Sequence, residues 1–276
     1  MRQRLFSMLM AAVLLTAASL LAAQRPGSSA AAPGPARLTP GEHLEYGIEW
    51  NPPWFLFFLP SMEAGTVELA VTGETVYEGE RAIRIEFRAR SSGTLARLTG
   101  LHIDDHFQFL TDPETLCTFT AIKQEREGKR KRDITVVYLR ESRRLHIREI
   151  DVAVSPPQVK KDLYKEGIPE CVRDLFSALY HTRRLEFSTG LRSSVVVGNN
   201  DSVREIEVRV EKKERVETPA GRYDAWRVNT IALVGGLFRE GGEFRLWMTA
   251  DEKKAPVQFT AKVNLGTVTG RLRKTR

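Results

Sequence analysis

The sequence predicts a mainly β protein, built as a large curved antiparallel sheet or open β-barrel with one amphipathic helix packed on its concave side. Three observations support this fold class. Apolar and polar residues alternate with a period of two along most of the chain, turn sequences separate the alternating runs, and one segment changes to helical periodicity. Alternation predicts strands with one buried and one solvated face, which is typical of antiparallel sheets.

The predicted strands follow one another from residue 44 onward. Leu44, Tyr46, Ile48 and Trp50 alternate with polar neighbours, and the same period returns in later segments. These segments are residues 67–71, 83–87, 101–109, 116–122, 134–138, 192–197, 206–210, 223–231, 244–248 and 257–263. Turn sequences such as Thr-Asp-Pro-Glu at 111–114 and Thr-Pro-Ala-Gly at 218–221 lie between them.

The predicted helix spans residues 169–184. Its apolar positions, spaced three and four residues apart, form one stripe of Val172, Leu175, Phe176, Leu179 and Tyr180. Pro169 suits a first helical turn, and Arg183 and Arg184 complement the negative end of the helix dipole. Because such a stripe must be buried, we expect the helix to close the core on the concave side of the sheet.

The N-terminal segment predicts export. Two arginines, an apolar run over residues 5–21 and the small residues Ala22 and Ala23 are the parts of a secretory signal peptide at 1–23. Leu21 is not the small residue preferred before a cleavage site, so an uncleaved N-terminal anchor is the alternative. Residues 24–37 are rich in Pro, Gly, Ser and Ala and predict a flexible tether. Residues 38–276 then form a single β-rich domain in the periplasm or outside the cell.

Composition narrows the classes of partner. The formal net charge is +7, and four of the positive charges lie before residue 38, which leaves a mildly basic domain suited to anionic headgroups or acidic glycans. No motif supports nucleic-acid binding, and an exported protein is in the wrong compartment for it. Cys117 and Cys171 have no metal-like spacing, so they form either one disulfide or two unrelated buried thiols.

Several short motifs together resemble a known family. They are Gly-Glu-His-Leu-Glu-Tyr at 41–46, Ala-Gly at 64–65, Arg-Ser-Ser-Gly at 90–93, Asp-Leu-Phe-Ser-Ala-Leu-Tyr at 174–180, Thr-Pro-Ala-Gly at 218–221, Leu-Trp-Met at 246–248 and Ala-Pro-Val at 255–257. In order and spacing they are similar to the exported bacterial family catalogued as domain of unknown function 3108. The resemblance implies a single secreted or periplasmic β-rich domain, and it supplies no catalytic residues.

The chain departs from that family pattern at residues 51–62. The insertion holds six consecutive large apolar residues at 54–59, among them Trp54, Phe55, Phe57 and Phe58, between Pro53 and Pro60. Two interpretations are open: the loop folds back over the sheet and supplies core, or it is a contact surface for a membrane or a partner.

Two groups of polar residues are candidates for chemistry. His102, Asp104 and His106 share one strand face and could hold a divalent metal, or could simply face solvent. On the helix, Ser177 lies between Asp174 and His181, which is the wrong order for a catalytic triad; Asp174 is better explained as a structural anchor paired to an arginine or to backbone amides of the sheet. The basic run at 123–132 predicts a charged hairpin tip, which is either solvated or a contact with anionic headgroups or lipopolysaccharide. We therefore expect no catalytic residue, no metal and no cofactor.

The sequence thus predicts a non-enzymatic exported protein. We expect it to bind an apolar or amphipathic ligand such as lipid in the sheet concavity, beneath Leu175 and Leu179. The alternative is an envelope assembly or structural factor that docks on a membrane partner through the loop 51–62.

Overall fold

The computed structural model of the chain describes residues 38–100, 102–200, 202–231, 243–263 and 265–276. The predicted signal peptide and tether lie outside the described residues, as do Leu101 at the start of one predicted strand and the connection 232–242. In these ranges no helix has the length and hydrophobicity needed to cross a bilayer.

The described residues form one antiparallel sheet of 14 strands. The strands are β1 (His43–Asn51), β2 (Met62–Tyr77), β3 (Glu80–Ser91), β4 (Asp104–Thr111), β5 (Thr118–Glu127), β6 (Arg130–Leu139), β7 (Arg144–Asp151), β8 (Gln158–Glu166), β9 (Arg192–Asn199), β10 (Ser202–Thr218), β11 (Gly221–Ile231), β12 (Glu243–Thr249), β13 (Pro256–Lys262) and β14 (Thr267–Thr275). The fold class predicted from the sequence is confirmed. Three strands that the alternation did not predict, β7, β8 and β14, complete the sheet.

Strand order follows chain order except at one junction. The sheet runs β8-β7-β6-β5-β4-β3-β2-β1-β14-β13-β12-β11-β10-β9, so β1 pairs with both β2 and β14. Every neighbouring pair is antiparallel, and the connections therefore alternate between two edges of the sheet. We call the edge with the β1–β2, β3–β4, β5–β6 and β13–β14 connections the upper edge. The opposite edge, with the β2–β3, β4–β5 and β12–β13 connections, is the lower edge.

The sheet curves strongly but does not close by strand pairing. Its terminal strands, β8 and β9, are not neighbours in the described sheet. Residues 172–174 lie between the start of β5 and β9, because the Thr118 amide donates to the Val172 carbonyl (2.8 Å) and the Arg173 amide to the Val196 carbonyl (3.1 Å). This segment covers β9, while the exposed edge strand β8 carries Lys160, Lys161 and Lys165, charges that disfavour edge-to-edge pairing.

Two helices accompany the sheet. α1 (Gly93–Thr99) lies in the β3–β4 connection and was not predicted. α2 (Leu175–Arg183) is the predicted helix, but it begins at Leu175 and not at Pro169. The helix starts later because Asp174 caps it and the preceding residues are extended along β9: the Asp174 carboxylate accepts from the Phe176 amide (2.8 Å) and the Ser177 amide (3.1 Å).

The core lies on the concave face of the sheet. Alternate positions of successive strands point inward, as the register shows where Tyr46 lies between Val67 and Leu272. One apolar cluster is centred on β1 to β7 and includes Tyr180, and a second on β9 to β12 includes Ala178. α2 packs against both clusters, so it joins the two halves of the sheet on their concave side.

Candidate functional site

The concave face is tightly packed near the lower edge and open toward the upper edge. On β3, Ile83 and Ile85 are fully buried, while Phe87, the next inward position, is only half-buried. The same change occurs across the inward positions of β2, β12 and β14, while Phe107 on β4 and Phe259 on β13 are half-buried between buried inward neighbours. Inward-facing apolar side chains that keep contact with solvent indicate that the concavity is not filled by the protein's own side chains.

Stacked aromatic rings line this open part. Phe87 stacks on Phe107 (ring centroids 5.3 Å apart) and on Phe176 of α2 (4.9 Å). Across the sheet, Phe259 stacks on Phe244 at 5.9 Å and meets the edge of Tyr46 at 5.6 Å. The Phe259 ring lies directly over Gly270, where an added Cβ would come within 2.2 Å of it. The rings form two rigid apolar walls of the kind that line lipid and small-molecule sites.

One ammonium group lies inside the concavity. The Lys123 Nζ donates to Asn200 Oδ1 (2.8 Å) and Asn199 Oδ1 (3.4 Å), and it stands 5.8 Å from the centroid of the Phe107 ring. Burial lowers the pKa of Lys123, and the negative charge of Asp174 raises it in part. A partly desolvated ammonium beside an aromatic wall is suited to a polar or anionic headgroup.

An acidic strip continues from Lys123 toward the upper edge. The Asp105 carboxylate accepts from the Arg126 amide at 2.7 Å, and burial raises the pKa of Asp105 to about 6. Burial also raises the pKa of Glu125, which pairs with Arg130 at 3.0 Å. The upper part of the concavity is therefore amphipathic, with aromatic walls and a polar strip along one side.

The lower edge is covered by α2 and its anchors. Arg183 is 1% exposed and donates to both carboxylate oxygens of Glu42 (2.7 and 2.8 Å) and to the Lys253 carbonyl (2.9 Å). The Tyr180 hydroxyl donates to the same carboxylate at 2.7 Å. Cys117 and Cys171 form a disulfide with their Cα atoms 5.1 Å apart, which ties the segment before α2 to the start of β5.

The structure places the predicted loop residues on the surface of the upper edge. Trp54, Phe55, Phe57 and Phe58 are 86%, 52%, 85% and 67% exposed. They belong to neither core cluster, so the interpretation that the loop supplies core is wrong. The loop nevertheless has a defined backbone, with a short 3-10 turn at Trp54–Leu56.

The two predicted helix residues lie at the other edge. Leu179 packs against both core clusters, whereas Leu175 belongs to neither, and the structure does not bring them near the loop. The α2 residue that reaches the aromatic wall is Phe176. Phe176, Phe87, Phe107 and Lys123 were all missed as site residues, although the alternation had already placed Phe87 and Phe107 inward.

The polar constellations have structural partners. Asp104 pairs with Arg90 at 3.2 Å, and His106 lies 3.6 Å from Glu86. The Asp174 carboxylate is an anchor, but it accepts from the first amides of α2 and from the Ser177 and Thr118 hydroxyls rather than from amides of the sheet. Across the part of the chain that the structure describes, no group of three or more His, Cys, Asp or Glu side chains has the geometry of a metal site.

Comparison with known proteins supports the family resemblance. The family model described as "Protein of unknown function (DUF3108)" matches residues 45–273, so the chain belongs to this family. No curated protein matches the chain at a significant level.

Three solved structures align with most of this chain. A β-barrel-like protein of domain of unknown function DUF1849 from Brucella abortus has 10% sequence identity and a TM-score of 0.57, over 89% of this chain and 99% of that one. An exported-type protein with a YmcC-like fold from Bacteroides fragilis (12% identity, TM-score 0.31) aligns over 88% of this chain and 98% of its own. A lipoprotein-type structure from Parabacteroides distasonis (11% identity, TM-score 0.33) aligns over 88% and 99%. The first similarity supports the β-barrel-like fold.

Proposed function

We propose that this member of the DUF3108 family is a non-enzymatic exported protein that binds an amphipathic lipid in its concavity. The observation that carries the proposal is the change in burial along the inward face. Residues near the lower edge are fully buried, whereas Phe87, Phe107 and Phe259 remain partly exposed although they point inward. Apolar surface held open to solvent is costly, at about 25 cal/mol per Å², unless a ligand covers it.

The chemistry of the lining favours an amphipathic ligand over a purely apolar one. An acyl chain fits against the stacked rings of Phe87, Phe107 and Phe176, which expose no hydrogen-bonding group. A polar or anionic headgroup would then lie beside Lys123, whose ammonium is already oriented by Asn199 and Asn200. A largely apolar site with a few fixed polar groups is the usual composition of ligand pockets.

Two features support export to an oxidising compartment. The N-terminal sequence has the parts of a signal peptide, and the Cys117–Cys171 disulfide is of a kind that persists outside the cytoplasm. Lipid carried in such a compartment must be shielded from water. A curved sheet closed at one edge by α2 and open at the other provides that shield.

Native mass spectrometry followed by lipid extraction tests the proposal. Protein purified from the envelope of its host should carry an added mass that resolves to a lipid, and the emptied protein should bind the fluorescent fatty acid cis-parinaric acid saturably. Ala89 is a half-buried inward position on β3, so Ala89→Trp should fill the opening and abolish probe binding. Ala70→Trp, at a half-buried outward position of β2, is the matched control and should bind normally. An empty protein, or equal probe binding by both variants, would overturn the proposal.

A second candidate function is docking at the envelope through the loop 51–62. The observation that favours it is the exposure of four aromatic rings in one short loop. What this loop contacts is a separate question from what the concavity holds.

A further inference from the structure

We infer that the upper edge is a docking surface for an anionic bilayer, with the loop 51–62 inserted into the headgroup region. The inference does not depend on a ligand in the concavity. It rests on three observations: exposed apolar side chains gathered at one edge, uncompensated positive charges around them, and a loop whose shape presents its rings outward.

The exposed apolar side chains come from three neighbouring connections. Trp54, Phe57 and Phe58 lie in the β1–β2 loop, Leu98 (72% exposed) in α1 and Leu265 (48%) in the β13–β14 turn. The Leu265 carbonyl accepts from the Trp50 indole at 2.6 Å, which holds that turn against the end of β1. The Ser92 amide donates to the Ala64 carbonyl at 3.1 Å, which holds the start of α1 beside β2. One contiguous edge therefore presents all of these side chains.

The loop presents its rings outward and has little internal packing. The Leu56 amide donates to the Pro53 carbonyl (2.8 Å) and the Leu59 amide to the Leu56 carbonyl (2.9 Å), so local backbone bonds fix the turn. The described ring contacts of its aromatic residues join only sequence neighbours, Trp54 with Phe55 and Phe57 with Phe58. A projecting aromatic turn is suited to a fluid interface, where Trp and other apolar anchors partition into the headgroup region.

The charges at this edge complement an anionic surface. Arg97, Lys129, Lys131 and Lys262 are exposed there and have no ion pair within the described ranges. Several acidic side chains of the same edge are already paired: Glu63 with Arg273, Asp104 with Arg90, Glu127 with Arg130 and Glu243 with Arg245. The Gly128 amide donates to the His102 carbonyl at 2.7 Å, which places the basic hairpin tip beside the α1 connection. Aromatic insertion and basic attraction are the two signals that together give stable peripheral binding.

Trp54 itself provides the readout for the test. Its ring is 86% exposed, whereas Trp50 is buried and Trp226 and Trp247 are half-buried, so its emission should shift and be quenched on insertion. The full chain is mixed with vesicles of phosphatidylcholine and phosphatidylglycerol that contain brominated lipid. We expect quenching that Trp54→Phe removes. Phe57→Ser/Phe58→Ser should abolish quenching of Trp54, while Val76→Ser, at an exposed apolar position near the lower edge, should leave it intact.

The charge component is tested separately. Arg97→Gln/Lys129→Gln should weaken Trp54 insertion about 30-fold at low salt, since each basic residue near an anionic surface contributes about 1 kcal/mol. Lys213→Gln/Lys253→Gln, which removes two exposed lysines away from the upper edge, should have no effect. Equal insertion into pure phosphatidylcholine, or vesicle binding without Trp54 quenching, would overturn the inference. So would a benzophenone side chain at position 54 that crosslinks in envelope membranes to a protein and not to lipid; loss of cis-parinaric acid binding alone would not affect it.

Discussion

The buried pair of Arg183 and Glu42 offers a direct test of how α2 is held over the lower edge. Arg183 forms a bidentate salt bridge with the Glu42 carboxylate, and its guanidinium lies 4.8 Å from the centroid of the Tyr180 ring. Glu42 precedes β1, and Arg183 ends α2, so one pair joins the start of the described domain to the helix that covers the lower edge. Substituting Arg183→Met keeps most of the volume but leaves a buried carboxylate with a hydrogen bond from Tyr180 alone.

The expected cost follows from the burial of both partners. The side chains are 1% and 11% exposed, so solvent does little to replace the lost bonds. Removing one partner of such a pair costs about 3–5 kcal/mol, because the other charge stays buried and uncompensated. For a domain of this size, that cost lowers the melting temperature by about 6–20 °C. Glu42→Gln/Arg183→Met should be less destabilising than the sum of the single variants, because neither charge then remains.

Urea unfolding followed by circular dichroism measures these differences. Arg81→Met is the matched control, since Arg81 pairs with Glu74 at 3.2 Å but both side chains are mostly exposed. Exposed pairs contribute about 0–1 kcal/mol. A loss below about 1 kcal/mol for Arg183→Met, equal to that of the control, would refute the view that this pair holds α2.

Three further predictions concern the same described domain. Cys117→Ser/Cys171→Ser should lower the free energy of unfolding by about 4 kcal/mol, because the disulfide closes a loop with a separation of 54 residues; an unchanged urea midpoint would contradict this. Burial raises the pKa of Asp105 from 3.8 to about 6, so the native state binds the proton more tightly and stability should fall as the pH rises through that window; Asp105→Asn should remove this slope. Burial and the charges of Arg173 and Arg184 lower the pKa of His181 from 6.5 to about 4. The unfolded state therefore binds the proton more tightly, and the free energy of unfolding should fall as the pH drops from 6.5 to about 4. His181→Gln should remove this pH dependence. Between pH 4 and 6 the two groups change stability in opposite directions as the pH rises. The free energy of unfolding, measured by urea unfolding at several pH values, should therefore depend more steeply on pH in either variant than in the parent chain.

The alternation of side chains predicted the sheet because most strands bury one face only. It missed β8, whose exposed, lysine-rich edge has little to bury, and β14, where Gly270 replaces an inward side chain beneath Phe259. The helix was predicted too long, since Val172 is buried in an extended segment beside β9 and not in the apolar stripe of α2. Periodicity could not separate these cases, because a buried residue contributes equally to both patterns.

The candidate site was less predictable than the fold, because it depends on curvature. Phe87 and Phe107 were correctly assigned to inward positions, but the sequence does not reveal that the concavity narrows at one edge and opens at the other. Lys123 belonged to a basic run predicted as a charged hairpin tip. In the structure it lies opposite Phe107 on an inward position of β5, and it donates there to Asn199 and Asn200. The loop 51–62 was recognised from its composition alone, since six large apolar residues between two prolines are unusual in any turn.

The two proposals meet at the upper edge, and their combination limits how a ligand can exchange. α2 covers the lower edge through the Arg183 anchor and the Asp174 cap, whereas the inward face becomes accessible toward the loop 51–62. A lipid that leaves the concavity at the upper edge while Trp54 is inserted would enter the headgroup region without crossing water. Binding to an anionic bilayer should therefore accelerate release of cis-parinaric acid into vesicles, and Phe57→Ser/Phe58→Ser should remove the acceleration while leaving affinity in solution unchanged. That result would show that the ligand passes from the concavity to the bilayer beside the loop 51–62. Release at the same rate with and without vesicles would mean that ligand binding and membrane docking are separate functions.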